Sequence, residues 1–189
     1  MDGLLSSLIA VGLATIGDRI QLLAVLLLAR WRRPGAIIAG LLAATVAAQG
    51  ASAFGGRWIA GELPPRPVAL LLAFGFLSMG LWSFFPDRLP KDADAPSRLG
   101  PFLASAAGFF AVEFGDRTQL ATMALAARFG SAVTVTIGAT LGLAMAAIPC
   151  VLFGQPFLDR LPGRPLRIAA SVVFILLGLW TALDALRLI

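Results

Sequence analysis

Histidine is absent from this 189-residue chain, and cysteine occurs once, at Cys150. Without imidazole or paired thiols, soft and nitrogen-rich metal sites are excluded, so any bound metal must be held by oxygen. One cysteine closes no internal disulfide, and beside Pro149 in an apolar run Cys150 reads as a packing residue. Charge is also scarce: 13% of residues are Asp, Glu, Lys or Arg, about half the share of a soluble domain. Enzyme signatures are missing too. There is no phosphate-binding loop, nucleotide fingerprint, Ser-His-Asp set or zinc spacing, so the chain does not read as an enzyme. Asp18 and Asp116 each follow a glycine, as in an intramembrane aspartyl dyad. Both are followed at once by arginine, which would hold them ionised and unfit to share a proton.

What the chain does contain is apolar length. Hydrophobic residues make up 59% of it, mean hydropathy is +0.89, and apolar runs of about 20 residues recur. The runs do not alternate in polarity, so a β-barrel is excluded and the fold class is an all-α, multi-pass membrane protein. Net charge is +5, but the basic residues cluster in short loops between apolar runs. They read as topology signals and lipid-headgroup contacts. With no basic face and no aromatic platform, no nucleic-acid partner is expected. Met1-Asp2-Gly3 offers an acid in place of a basic n-region, and the first apolar run carries Asp18; it reads as mature structure, not a signal peptide.

Proline, glycine and arginine punctuation predicts six transmembrane helices, at about 3–30, 35–60, 66–85, 99–128, 131–157 and 165–186. The two halves match at a constant offset of 98 residues. Gly17-Asp18-Arg19 falls on Gly115-Asp116-Arg117, Gln21-Leu22 on Gln119-Leu120, and Leu63-Pro64-x-Arg66-Pro67 on Leu161-Pro162-x-Arg164-Pro165. Ser7 meets Ser105, Gly40 meets Gly138, and Gly80-Leu81-Trp82 meets Gly178-Leu179-Trp180. Chance likeness between Ala/Leu-rich helices gives scattered leucine matches, not charge, proline and tryptophan in one register. Residues 1–85 are therefore expected to be one three-helix repeat, 86–98 a cytoplasmic linker, and 99–189 a second repeat. Three crossings per repeat invert the second relative to the first, with a pseudo-two-fold axis in the membrane plane. Loops after the first, third and fifth helices hold nine Lys and Arg against four on the other face, which places both termini outside.

Such an axis brings the two Gly-Asp-Arg segments together near the midplane. Read as helices, Glu113, Asp116 and Gln119 form one polar stripe, and Thr15, Asp18 and Gln21 form its counterpart. Facing each other, they offer three carboxylates, two amides and the hydroxyls of Thr15 and Thr118. That all-oxygen set suits a hard divalent cation such as Ca²⁺ or Mn²⁺. Gly17 and Gly115 would permit close backbone approach or a helix break. A plainer reading is a set of structural ion pairs to Arg19 and Arg117, with Glu113 four residues from Arg117. Three acids against two arginines leave one acid over, and Glu113 is expected to be the group that exchanges a proton. Thr45, Gln49 and Ser52, with Thr134, Thr136 and Thr140, could line a path, though small hydroxyl residues more often glue helices together; Gln49 stands out among them. Trp82 and Trp180 are expected to anchor helix ends in the headgroup region, with Asp184 near the interface.

Glu113-Phe114-Gly115-Asp116-Arg117-Thr118 resembles the Glu-x-Gly-Asp-(Lys/Arg)-(Thr/Ser) signature of the Gdt-type cation/proton exchangers. That family includes Golgi and chloroplast Mn²⁺/Ca²⁺ transporters and bacterial manganese exporters, and is grouped with the LysE superfamily. The resemblance spans the whole chain, with one motif per half. It implies cation binding by Glu113, Asp116 and Asp18, in a multi-pass protein of the bacterial inner membrane. The first copy departs from the signature: Thr15 stands at the Glu position and Ile20 at the Thr/Ser position. The expected function is export of Mn²⁺, or Ca²⁺, against inward proton flow, with the cation as cargo and no permanent cofactor. Asp18, Glu113 and Asp116 would be ligands, Gln21, Gln119, Thr15 and Thr118 would complete the shell, and Arg19 and Arg117 would balance charge. The protein's partners would be metal ion, protons and lipid, and its state monomeric or homodimeric. Two other readings stay open: an exporter of amino acids or similar small solutes, and a non-transporting membrane scaffold whose buried ions only fix helix register.

Overall fold

The computed structural model describes residues 2–85, 99–160 and 163–186, and the regular structure among them is entirely helical. In chain order the helices are α1 (Asp2–Thr15), α2 (Arg19–Trp31), α3 (Pro34–Glu62), α4 (Pro65–Trp82), α5 (Pro101–Glu113), α6 (Arg117–Phe129), α7 (Ala132–Phe153), α8 (Gln155–Arg160) and α9 (Gly163–Ala185). The expected linker 86–98 lies outside the described residues, as do Arg88, Lys91, Arg98 and Arg187 of the loop-charge count. Helices α3, α4 and α5 each open on proline in the first turn, where a missing N–H leaves no intrahelical bond unmade.

Two expected helices are not continuous. The spans 3–30 and 99–128 are each split into a pair, α1/α2 and α5/α6, so neither polar stripe runs along a single helix. The cause is local. Gly17 and Gly115 take left-handed backbone angles (φ +77 and +75), which ends the preceding helix. Asp18 and Asp116 follow in extended conformation as N-caps of the next. The first pair bends by 67° at its break. A smaller revision falls at 131–157, where Gly154, at φ +66 and ψ −150, separates α7 from the short α8.

Among the described residues, α3, α4, α7 and the 167–185 part of α9 are long and apolar enough to cross a membrane, and α1/α2 makes a fifth span if counted as one bent crossing. The exterior is apolar: Trp58, Phe74, Phe114, Met145, Phe153 and Trp180 are each more than 60% exposed. The interior, by contrast, holds Ser7, Thr15, Asp18, Gln21, Thr45, Gln49, Ser105, Glu113, Asp116, Arg117, Thr118 and Thr122. That inversion suits lipid outside and a polar site within.

Contacts between the halves come in exchanged pairs at the 98-residue offset. A Cβ on Gly40 would strike Phe102 O and Ser105 Cβ, both at 2.8 Å. One on Gly138 would collide with the equivalents, Leu4 O and Ser7 Oγ. Gly80 packs on Ile175, and Gly178 packs on Leu77. Phe76 stacks on its own counterpart Phe174, with ring centroids 6.1 Å apart. Even the left-handed caps correspond: Arg32 ends α2 (φ 50) and Gly130 ends α6 (φ 68).

These close approaches generate a test. Gly138→Ala puts a methyl group into Ser7 and the Leu4 carbonyl, so it should destabilise the protein by about 1–3 kcal/mol. Gly35→Ala, with nothing within 4 Å of the added carbon, should leave stability unchanged or slightly raised. Thermal unfolding of the two purified variants in one detergent checks the difference; equal melting temperatures would contradict it.

Candidate functional site

Each break exposes unpaired backbone groups inside an apolar segment, and the sequence supplies a partner four residues on. Gln21 Oε1 accepts from Gly17 N at 2.8 Å, and Gln119 Oε1 accepts from Gly115 N at 3.0 Å. Each amide also reaches across to the other half: Gln21 Nε2 donates to Ala146 O (2.9 Å), and Gln119 Nε2 to Ala48 O (3.4 Å). The two carbonyls are again 98 residues apart. Gln21 and Gln119 thus pin the broken backbones to α7 and α3.

The caps carry the charge. Asp18 Oδ1 accepts from Arg19 N at 2.7 Å and Asp116 Oδ2 from Thr118 N at 3.3 Å, placing both carboxylates at helix N-termini, where backbone dipoles favour an anion. Each carboxylate also meets the arginine of the opposite motif. Arg19 Nη2 lies 2.8 Å from Asp116 Oδ1, and Arg117 Nη2 lies 3.3 Å from Asp18 Oδ1. The arginines differ in access: Arg117 is 1% exposed and Arg19 is 22% exposed. In a low-dielectric interior such pairs hold well only with further hydrogen bonds, which the N-cap amides provide.

Glu113 ends α5 fully buried. It does not bridge along its own helix to Arg117, because the break lies between them. Its partners are uncharged: Thr45 Oγ1 donates to Oε1 at 2.6 Å, and Gln49 Nε2 donates to Oε2 at 3.4 Å. Gln49 is a hub. Its Nε2 also donates to Thr118 Oγ1 (3.3 Å), and its Oε1 accepts from Thr122 Oγ1 (2.6 Å). Thr118 Oγ1 in turn donates to Asp116 Oδ2 at 3.0 Å. One hydrogen-bonded chain therefore runs from Thr122 through Gln49 to Glu113, and through Thr118 to Asp116 and Arg19.

The structure thus brings Asp18, Asp116, Arg19 and Arg117 into reciprocal contact, and links Glu113 to Asp116 through Gln49 and Thr118. Thr15 stands apart, its hydroxyl donating to Val11 O of its own helix at 2.7 Å. Among the described residues, no three Asp, Glu, His or Cys side chains are gathered tightly enough to grip one metal ion. In this conformation the aspartates face arginines, and Glu113 faces a hydroxyl and an amide. Of the weaker candidates, Thr45 and Gln49 join the site, whereas Ser52, Thr134 and Thr136 bond to carbonyls of their own helices or caps. Thr122 went unremarked in the sequence. Its signal was the Thr118-x-x-x-Thr122 spacing, which mirrors Thr45-x-x-x-Gln49 on α3.

The comparisons with known proteins agree with one another. The family model described as "Divalent cation/proton antiporter GDT1" matches residues 3–91 and 101–188. A protein of Vibrio cholerae serotype O1 (strain ATCC 39541, Classical Ogawa 395), named "Putative manganese exporter", is 39% identical over 183 residues, covering 96% of this chain and 91% of that protein. No solved structure matches.

The cross-motif pairs can be weighed directly. Replacing Arg117 by Met leaves Asp18 buried without this partner and should destabilise the protein by about 3–5 kcal/mol. Asp18→Asn combined with Arg117→Met should recover part of that loss. A double-mutant cycle on unfolding free energy checks this, and a coupling near zero would rule the pair out as a tie between the halves.

Proposed function

The chain belongs to the divalent cation/proton antiporter GDT1 family, and on that premise we propose that it exports Mn²⁺, or Ca²⁺, from the cytoplasm in exchange for inward protons. The observation that carries the reading is the reciprocal placement of Asp18 and Asp116 at two helix breaks, each faced by the other motif's arginine, with Glu113 buried beside them. Carboxylates inside an apolar, many-helix chain mark an ion pathway more often than a structural tie. Broken helices near the midplane are how transporters offer backbone and side-chain oxygens to ions.

In this reading six crossings form two inverted repeats, 1–85 and 99–189, joined by a cytoplasmic linker at 86–98, with both termini outside the inner membrane. The exchanged contacts at the 98-residue offset support a two-fold relation between the repeats. The α1/α2 and α5/α6 pairs each serve as one broken crossing. The cation is cargo. Asp18, Glu113 and Asp116 are its carboxylate ligands, and Thr118 adds a hydroxyl. Gln21, Gln119 and Thr15 join the shell only after leaving the backbone groups they now bind. Arg19 and Arg117 withdraw from the aspartates as the cation arrives and return as it leaves, so the empty carrier keeps its charge balanced. Glu113 carries the exchanged proton, because its partners here are uncharged. Rocking one repeat against the other alternates access. The protein acts as a monomer or homodimer.

Proteoliposomes with a pH-sensitive dye test this. Mn²⁺ added to wild-type vesicles should drive a proton flux in the opposite direction. Asp18→Asn, Glu113→Gln and Asp116→Asn should each reduce it to the protein-free background. Wild-type flux in all three variants would overturn the site, and no Mn²⁺-dependent proton flux in wild type would overturn the antiport.

A further inference from the structure

The shared framework of the two halves makes their differences informative. At the 98-residue offset, Glu113 corresponds to Thr15, Thr118 to Ile20, Thr122 to Ala24, Thr45 to Leu143 and Gln49 to Ala147. Every member of the hydrogen-bonded set around Glu113 therefore has a counterpart in the other half, and four of the five counterparts are purely apolar. Ile20, Ala24, Leu143 and Ala147 are fully buried and belong to one hydrophobic cluster with Val11, Leu23 and Phe109. The fifth, Thr15, turns its hydroxyl back to Val11 O. The backbone devices that hold the two breaks are present in both halves, but the polar groups occupy only one of the two equivalent places, where α3 of the first half meets α5 and α6 of the second.

Geometry at the arginines points the same way. Arg19, which meets Asp116 beside the polar set, is 22% exposed, whereas Arg117, which meets Asp18 beside the apolar cluster, is 1% exposed. A hard divalent cation is held by six or more oxygens, from the protein or from retained water. Ile20, Ala24, Leu143 and Ala147 offer no side-chain oxygen at all. Across the axis, Thr45, Gln49, Thr118 and Thr122 place three hydroxyls and an amide beside the Glu113 and Asp116 carboxylates.

We infer that the polar support of the cation site is one-sided: around the carboxylates, α3, α5 and α6 supply Thr45, Gln49 and Thr122 as positioning and selectivity residues, while the equivalent surface of Ile20, Ala24, Leu143 and Ala147 is dry packing that adds no ligand beside Asp18. This rests on the antiport reading. Thr45 and Gln49 fix where the Glu113 carboxylate points, and Thr122 fixes which way the Gln49 amide faces, since its hydroxyl occupies Oε1 and leaves Nε2 for Glu113 and Thr118. The family signature contains none of the three. Selectivity among divalent cations then depends on α3, outside both motifs.

The test is ⁵⁴Mn²⁺ and ⁴⁵Ca²⁺ uptake into proteoliposomes of the full chain. Thr45→Val and Gln49→Leu should lower Vmax/KM for Mn²⁺ about tenfold or more, the usual scale for partners that orient metal ligands. Ile20→Val and Leu143→Met, in the apolar cluster, should stay within about twofold of wild type, because near-isosteric apolar changes leave packing largely intact. Gln49→Asn keeps the amide but withdraws it by one carbon. It should shift the Mn²⁺/Ca²⁺ preference about threefold or more, a readout that mere loss of stability does not move, and it serves if the bulkier changes prevent folding. An unchanged ion preference in Gln49→Asn, or equal losses from the variants of the polar set and of the apolar cluster, overturns the one-sided site while leaving the antiport standing. A wild-type protein that moves neither ion overturns both.

Discussion

Two carboxylates in an apolar interior, each neutralised by the arginine that follows the other, are the constraint on which the rest of this protein turns. Asp18 and Asp116 each pair with the arginine of the opposite motif, across the interface between the halves. The two Gly-Asp-Arg segments must therefore lie face to face, and the helices carrying them must stop and restart there. Left-handed glycines provide the stop, and the aspartates themselves provide the restart as N-caps. The aspartate side chains thus both start helices and hold the halves together. A charged group buried for one purpose would be a liability in this environment; here each serves two.

The breaks would be costly without Gln21 and Gln119. A buried backbone N–H with no partner costs about 1–3 kcal/mol, and lipid offers no water as a substitute. Each glutamine satisfies the glycine N–H of its own break and a carbonyl of the opposite half's long helix. Close helix approach makes that reach possible, and the approach depends on Gly40 and Gly138, where even a methyl group would collide with the facing helix. Small residues far from the charges therefore set the distance across which the charges meet.

Much of this was legible in the sequence. The all-helical membrane class, the 98-residue register and the motif acids followed from residue type and spacing, because lipid leaves so few backbone options. The glycines were visible as places where a helix could break, but whether it does depends on the tertiary contacts that stabilise the broken ends. An unbroken polar stripe was the natural reading of Glu113, Asp116 and Gln119. It failed because Gln119 bonds the backbone at Gly115, while Asp116 leaves the helix to cap the next one. The pairing of arginines could not be read locally either: Glu113 and Arg117 have the spacing of a helical salt bridge, and only the intervening break separates them. Gln49 could be singled out, but its role needed α3 to be placed against α5 and α6. Thr122 was masked by the ordinary frequency of threonine in membrane helices.

The comparison of the halves also bears on how such a carrier can keep symmetric motion with asymmetric chemistry. On the proposed reading of two inverted repeats that rock against each other, outward-open and inward-open states are similar in energy only if the hinges are equivalent, and the two breaks share the same glycines, the same glutamine staples and the same aspartate–arginine exchange. Binding has no such requirement. One set of oxygens near the axis can be reached from either side once the repeats rock. A second polar set would add buried groups that must find partners in every state, each a desolvation cost with no added route for the ion. Replacing Glu, Thr, Thr, Thr and Gln by Thr15, Ile20, Ala24, Leu143 and Ala147 removes that cost and adds apolar packing at the same place. Of the first motif's departures from the family signature, Ile20 thus forms one packed apolar surface with Leu143 and Ala147 of α7.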